Sequence, residues 1–178
     1  RAGFVAVQLL KSMVKTEVLS ENEYENFMRT VKTVSSRMSQ DLIQLSREEF
    51  LVKYGHLRPG TYDIISLRYD EAPDQYFDWD NLKHNQINST EEEFFLRPDA
   101  AKKLEKLLRE HRLEHDVASF LNFIRGAIEG REYAKFVFTK SLSDALVLIQ
   151  QLGREYDVDT EDLSYANINT IHQLYSSS

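Results

Sequence analysis

The chain has 178 residues, 42% hydrophobic and 29% charged, with no cysteine, six Gly, three Pro and a net charge of −7. Without cysteine, neither a disulfide scaffold nor a zinc ribbon can form, and so few Gly and Pro exclude a collagen-like or linker-type chain. The acidic balance argues against nucleic acid or an anionic membrane as partner, and no apolar run approaches the ~20 residues that cross a bilayer.

Ten Phe, nine Tyr and one Trp are ample material for a hydrophobic core. The expectation is one cytoplasmic, all-α domain over 1–178. The chain opens on Arg1-Ala2-Gly3-Phe4 without Met and closes on Ser176-Ser177-Ser178 directly after Ile171-His172-Gln173-Leu174-Tyr175. Those ends read as a piece cut from a longer protein.

In chain order, Phe4, Val7, Leu10 and Val14 mark one face of a first helix. Ser20-Glu21-Asn22-Glu23 has capping-box spacing, in which hydroxyl and carboxylate each satisfy an orphan backbone N–H. Tyr24, Phe27, Val31, Val34, Met38, Leu42 and Leu45 then step by three or four, predicting one long helix over about 21–45. Ser46-Arg47-Glu48-Glu49 repeats the box and starts a short helix through Tyr54, which Gly55 can end in a left-handed conformation. Residues 55–97 read as one long irregular loop. It has an acidic and aromatic stretch around Tyr76, Phe77 and Trp79 with a turn or two of helix.

Helix returns at Pro98, with Ala101, Leu104 and Leu108 as its apolar stripe. Val117, Phe120, Leu121, Ile124 and Ile128 mark the next, running on toward Tyr133 and Phe136, and Gly126 and Gly130 suggest a close helix approach. Ser141-Leu142-Ser143-Asp144 reads as the start of a separate helix with Leu142, Ala145, Leu146, Ile149 and Leu152 inside. Thr160 and either Asn167 or Asn169 cap two short last helices. The total is about seven helices and one elaborate loop.

Candidate chemistry is sparse. His111-Arg112-Leu113-Glu114-His115 fits H-x-x-E-H, in which two His on one helix face hold zinc and the Glu acts as base. The same residues also read as a solvated face, since Lys102 to Asp116 is dense in charge. No nucleophile elbow and no Gly-rich phosphate loop occurs. That leaves Tyr54-Gly55-His56-Leu57-Arg58-Pro59-Gly60-Thr61-Tyr62-Asp63, followed by Ser66-Leu67-Arg68-Tyr69, where three of the nine Gly and Pro lie within six residues. Arg58 and Arg68 are suited to a phosphate or carboxylate because guanidinium offers a planar fork of donors, and His56 is of a type that titrates near neutrality. The alternative is that these groups and Asp63 pair among themselves and lock the loop over the core.

This loop resembles a signature of the phosphoenolpyruvate synthase / pyruvate phosphate dikinase family and the related rifampin phosphotransferases. There a Tyr-Gly-His-x-x-Pro-Gly segment precedes an acidic residue and then Ser-Pro-Arg with an aromatic. The matching positions are Tyr54, Gly55, His56, Pro59, Gly60, Asp63, Ser66, Arg68 and Tyr69. A second stretch is similar to the helical segment before the family's swivelling phosphohistidine domain: Arg131-Glu132-Tyr133-Ala134-Lys135-Phe136, Phe138-Thr139-Lys140 and Ser143-Asp144-Ala145-Leu146. Two departures stand out: Leu67 replaces the Pro before Arg68, and Leu57-Arg58-Pro59-Gly60-Thr61 stands where the rifampin enzymes read Arg-Gly-Pro-Gly-Glu.

The resemblance implies a helical middle domain, without catalytic residues or a cofactor of its own. Its parent would use ATP and Mg, with an ATP-grasp and a phosphohistidine domain as partners and a small-molecule phosphoryl acceptor. His56, Arg58, Asp63 and Arg68, with Glu132 and Lys135, would line or support the acceptor site. Two other readings stand beside it: a structural linker that binds no ligand, and a metallohydrolase using His111, Glu114 and His115.

Overall fold

The computed structural model describes residues 1–82 and 94–176. Among them are ten helices and no strand, so the all-α class holds, with ten elements in place of about seven. The described residues fall into two compact units, one of 1–40 and 94–135, the other of 41–82 and 136–176.

In the first unit, α1 (Ala2–Lys15) buries Gly3, Ala6, Leu10 and Met13. The inward face is therefore turned by one residue from the expected one, and Phe4 lies outside with the Arg131 guanidinium 4.3 Å from its ring centre. The Ser20 hydroxyl and Glu23 carboxylate close the expected capping box at α2 (Glu21–Arg29). The predicted long helix does not continue. The Thr30 hydroxyl turns back to the Phe27 carbonyl, and the Lys32 amide donates to Glu129 instead of to a helical carbonyl. Thr33 then accepts from the Ser36 amide as a new N-cap, so α3 (Val34–Gln44) is separate. Apolar periodicity passed over the break because Phe27 and Val31 are both buried regardless of it.

Pro98 opens α7 (Pro98–Glu110), which buries Ala100, Leu104 and Leu108 against α1 residues Leu10 and Met13 and against Phe120, Ile124 and Ile128. Those last three belong to α8 (Val117–Glu155), a single helix of 39 residues capped by Asp116 on the Ser119 amide. No new helix starts at Ser141. A Cβ added at Gly126 or Gly130 meets nothing within 4 Å, so no helix among the described residues makes the expected close approach there.

The second unit has a different interior. α4 (Arg47–Tyr54) starts at the Ser46–Glu49 capping box and buries Phe50 and Tyr54. The rings of Phe77 and Trp79 meet Phe50 edge-on at 5.1 and 5.7 Å, from α5 (Pro73–Tyr76) and its C-cap and from α6 (Trp79–Leu82). Two helices therefore lie inside the expected loop 55–97, of which 83–93 fall outside the described residues. On this part of α8 the fully buried positions are Thr139, Ser143, Gln150 and Gly153; of the predicted inner residues Leu142, Leu146, Ile149 and Leu152 are half-buried and Ala145 is exposed. α9 (Thr160–Leu163) is capped by Asp159, one residue before the expected Thr160, and α10 (Ile168–Ser176) by Asn167. No helix is long and apolar enough to cross a membrane among the described residues.

Ser20→Ala removes the cap of α2 and should lower stability by about 1 kcal/mol in urea unfolding followed by circular dichroism. Ser20→Asp, which caps equally well, should restore most of it. An alanine variant as stable as the parent would show that the box is idle.

Candidate functional site

The four loop residues singled out above, His56, Arg58, Asp63 and Arg68, lie in the second unit; Glu132 and Lys135 belong to the first. The loop leaves α4 at Gly55 and returns beside it. The Tyr69 amide donates to the Leu57 carbonyl at 2.9 Å and the Asp70 amide to the Gly55 carbonyl at 3.1 Å, closing a neck. Gly55 is right-handed (φ −56°, ψ −32°), so the expected left-handed stop is not what selects glycine. Space is: a Cβ there would lie 2.8 Å from the Asp70 Cβ. Gly60 is selected in the same way, because a Cβ would meet the Asp63 Cβ at 2.8 Å and the Ser66 Cβ at 3.2 Å.

Inside this neck Arg58 is 4% exposed. Its Nη1 donates to the Ser66 carbonyl at 2.9 Å and the Asp63 carbonyl at 3.3 Å, and its Nη2 to the Ser143 hydroxyl on α8 at 3.2 Å. Nε is buried without a partner. Burial draws the Arg58 pKa below its usual value, with the Glu71 charge pulling the other way. Arg58 is thus the peg around which residues 58–66 are wound.

Asp63 does not pair with either arginine; its carboxylate accepts from the Ile65 amide at 2.9 Å and tightens the tip. Nearby, the Gln150 side chain on α8 donates to the Ile64 carbonyl at 2.8 Å. Arg68 grips Asp70 with Nε and Nη2 at 2.9 and 2.8 Å, and reaches Asp144 on α8 with Nη1 at 3.0 Å. Burial opposes its charge, but Asp70 and Asp144 outweigh that and raise its pKa. The Lys140 ammonium also bonds Asp144, and with Arg68 holds that carboxyl below the ordinary range against the effect of burial.

His56 is 5% exposed and stacks at 4.9 Å from the Phe136 ring on α8. Its Nε2 is buried without a partner. Burial first, then the Lys140 and Arg68 charges, push its pKa down; a hydrogen bond with the Phe136 backbone and the Asp144 charge partly offset this.

The structure therefore joins His56, Arg58 and Arg68 to one stretch of α8, while most of the arginine donors are spent within the loop itself. Ser143, Asp144 and Gln150 complete the cluster, and of these Gln150 escaped the sequence reading. The signal was available: polar or small residues at 139, 143, 150 and 153 follow helical spacing on a face that meets backbone instead of hydrocarbon.

His111 is the C-cap of α7, Arg112 has a positive φ of 57°, and Glu114 and His115 lie in the non-helical link to α8. The shared helix face that H-x-x-E-H requires is therefore not formed. Among the described residues no group of three or more His, Asp or Glu side chains converges on a common point.

No family model matches the chain, and no curated protein and no solved structure is significantly similar to it.

Arg58→Met should destabilise the second unit by roughly 2 kcal/mol, since charged hydrogen bonds to two carbonyls and a hydroxyl are lost. A double-mutant cycle with Ser143→Ala should show coupling of about 0.5 kcal/mol or more; strict additivity would show that the loop is not pegged to α8. The low pKa of Asp144 adds stability that is present above its unfolded-state value and disappears as pH falls through the lower folded one. Asp144→Asn should accordingly flatten acid unfolding below about pH 4, read by the fluorescence of Trp79.

Proposed function

We propose that the chain is a helical, non-catalytic middle domain of a cytoplasmic phosphotransferase resembling the phosphoenolpyruvate synthase and rifampin phosphotransferase group. Its role is to dock the neighbouring ATP-grasp and phosphohistidine domains while phosphoryl passes from Mg-bound ATP, through a histidine on the mobile domain, to a small-molecule acceptor. One observation carries the reading. The two separated stretches on which the resemblance rests meet at matching positions: Arg68 bonds Asp144, and the His56 ring packs against Phe136. Motifs that pack together have a shared structural reason to occur together.

The geometry favours docking over direct acceptor binding at this loop. Arg58 and Arg68 direct their donors into the loop and α8, whereas a phosphate cradle needs donors turned outward. What the locked loop shows to solvent is Tyr62, Ile65 and Leu67, all substantially exposed. A rigid tip with three apolar side chains is suited to contact with another domain. The same inward pairing of the arginines favours a second reading, a spacer whose loop contacts nothing.

Two measurements separate these. In the intact parent protein, Ile65→Ser and Leu67→Ser should reduce turnover at least tenfold without shifting the unfolding midpoint; unchanged turnover selects the spacer. Calorimetric titration with phosphoenolpyruvate, pyruvate and rifamycin should show no binding to this chain alone, and saturable binding lost in Arg58→Met would return the acceptor site to the loop. The parent sequence after Ser178 should contain a Gly-rich Thr/Ser-His-Ala segment, and its absence overturns the assignment.

A further inference from the structure

We propose that His56 is an acid-sensitive latch, whose protonation at Nε2 releases the loop of residues 55–72 from the second half of α8. The inference goes beyond docking and does not depend on it, because it rests on the ring and its surroundings alone.

Three observations carry it. The ring is 5% exposed, and Nε2 has no hydrogen-bond partner while shielded from solvent. The Phe136 backbone beside the ring favours its charged form, yet it offers Nε2 no partner. A proton added at Nε2 creates a buried donor with no acceptor in place and a charge with no counter-ion of its own.

The charged groups around the ring are already committed. From α8, Lys140 and Asp144 act on it; from the loop, Arg68 does. Asp144 bonds both Lys140 and Arg68, and Asp70 is held by two nitrogens of Arg68. These two carboxylates and two cations sum to zero, so an imidazolium leaves the cluster with one excess positive charge. Of the other charged side chains in the loop, Arg58 adds a cation, and Asp63 and Glu71 add carboxylates that act on Arg58 and accept from the Ile65 and Arg68 amides. From α4, the Tyr54 phenol is bonded to Asp41. None of these carboxylates bonds the ring, and protonation of Nε2 is relieved most directly by opening the neck to water.

The direction follows from linkage. A histidine held neutral in the closed loop and free in the open one favours opening as pH falls through its ordinary value near 6.5, and the effect levels off below the closed-state value. The opening equilibrium should therefore rise between pH 7.5 and pH 5.5, by at most about tenfold.

Hydrogen exchange of the 178-residue chain, corrected for the intrinsic pH dependence of exchange, reads this at the Tyr69 and Asp70 amides that close the neck. Their protection should fall over that interval, by up to about tenfold, while Leu104 and Leu108 in α7 hold theirs. His56→Gln, which cannot titrate, should abolish the change. Equal losses in both proteins, or none in the parent, would overturn the proposal. Should His56→Gln fail to fold, a ring titration of the parent by proton resonance decides: a His56 midpoint below 6.5 that coincides with neck opening supports the latch, and a ring that titrates with the neck still protected overturns it.

Discussion

A guanidinium taken out of water must find acceptors, and in this chain that requirement shapes the loop of residues 55–72. Arg58 cannot be buried at 4% exposure unless the chain wraps round it, and the carbonyls of Asp63 and Ser66 are the wrapping. From this follow the close turns at Gly55 and Gly60, where only the absence of a Cβ lets the two sides of the loop meet. The polar face of α8 has the same origin: Ser143 meets the guanidinium itself, and Gln150 meets a backbone carbonyl that the winding turns inward. Replacing these by leucines would satisfy apolar periodicity and leave buried polar groups unpaired.

That also explains which parts of the structure were legible in the sequence. Helix starts were plain where a short side chain caps its own backbone, as at Ser20 and Ser46, and where proline occupies the first turn, as at Pro98, because the chemistry is local. The core of the first unit was legible too, since Leu104, Leu108, Phe120, Ile124 and Ile128 pack hydrocarbon on hydrocarbon. Apolar periodicity misled where the partner surface is not hydrocarbon. On α8 it selected Leu142, Ala145 and Leu146, while the face that goes inside carries Thr139, Ser143 and Gln150. The break between α2 and α3 was hidden for a related reason: it depends on Glu129, about a hundred residues away, taking the Lys32 amide. In the loop, the residue types left two uses open, ligand binding or internal pairing, and the observed contacts are mostly internal.

The members of the cluster differ in what they leave undone. Arg68 and Asp144 close an ion-pair set with Asp70 and Lys140 and have little capacity left. His56 Nε2 and Arg58 Nε are both buried without a partner, and of the two only the imidazole is of a type that titrates near neutrality. A buried polar atom without a partner costs stability unless something repays it, which makes His56 the informative member of the cluster.

The contrast between the interiors of the two units has a calorimetric consequence. The first unit buries a continuous hydrocarbon cluster from Ala6 to Ile128, whereas the fully buried apolar residues described in the second are Phe50, Tyr54 and Ile64. Exposing apolar surface raises the heat capacity on unfolding and exposing polar surface lowers it. The first unit, with the larger fully buried hydrocarbon cluster, therefore has the more sharply curved stability profile, while the second, which adds hydrogen bonds and ion pairs to a half-buried aromatic cluster, has the flatter one. One polypeptide thus carries two thermal characters, set by how much of each interior is purely hydrocarbon.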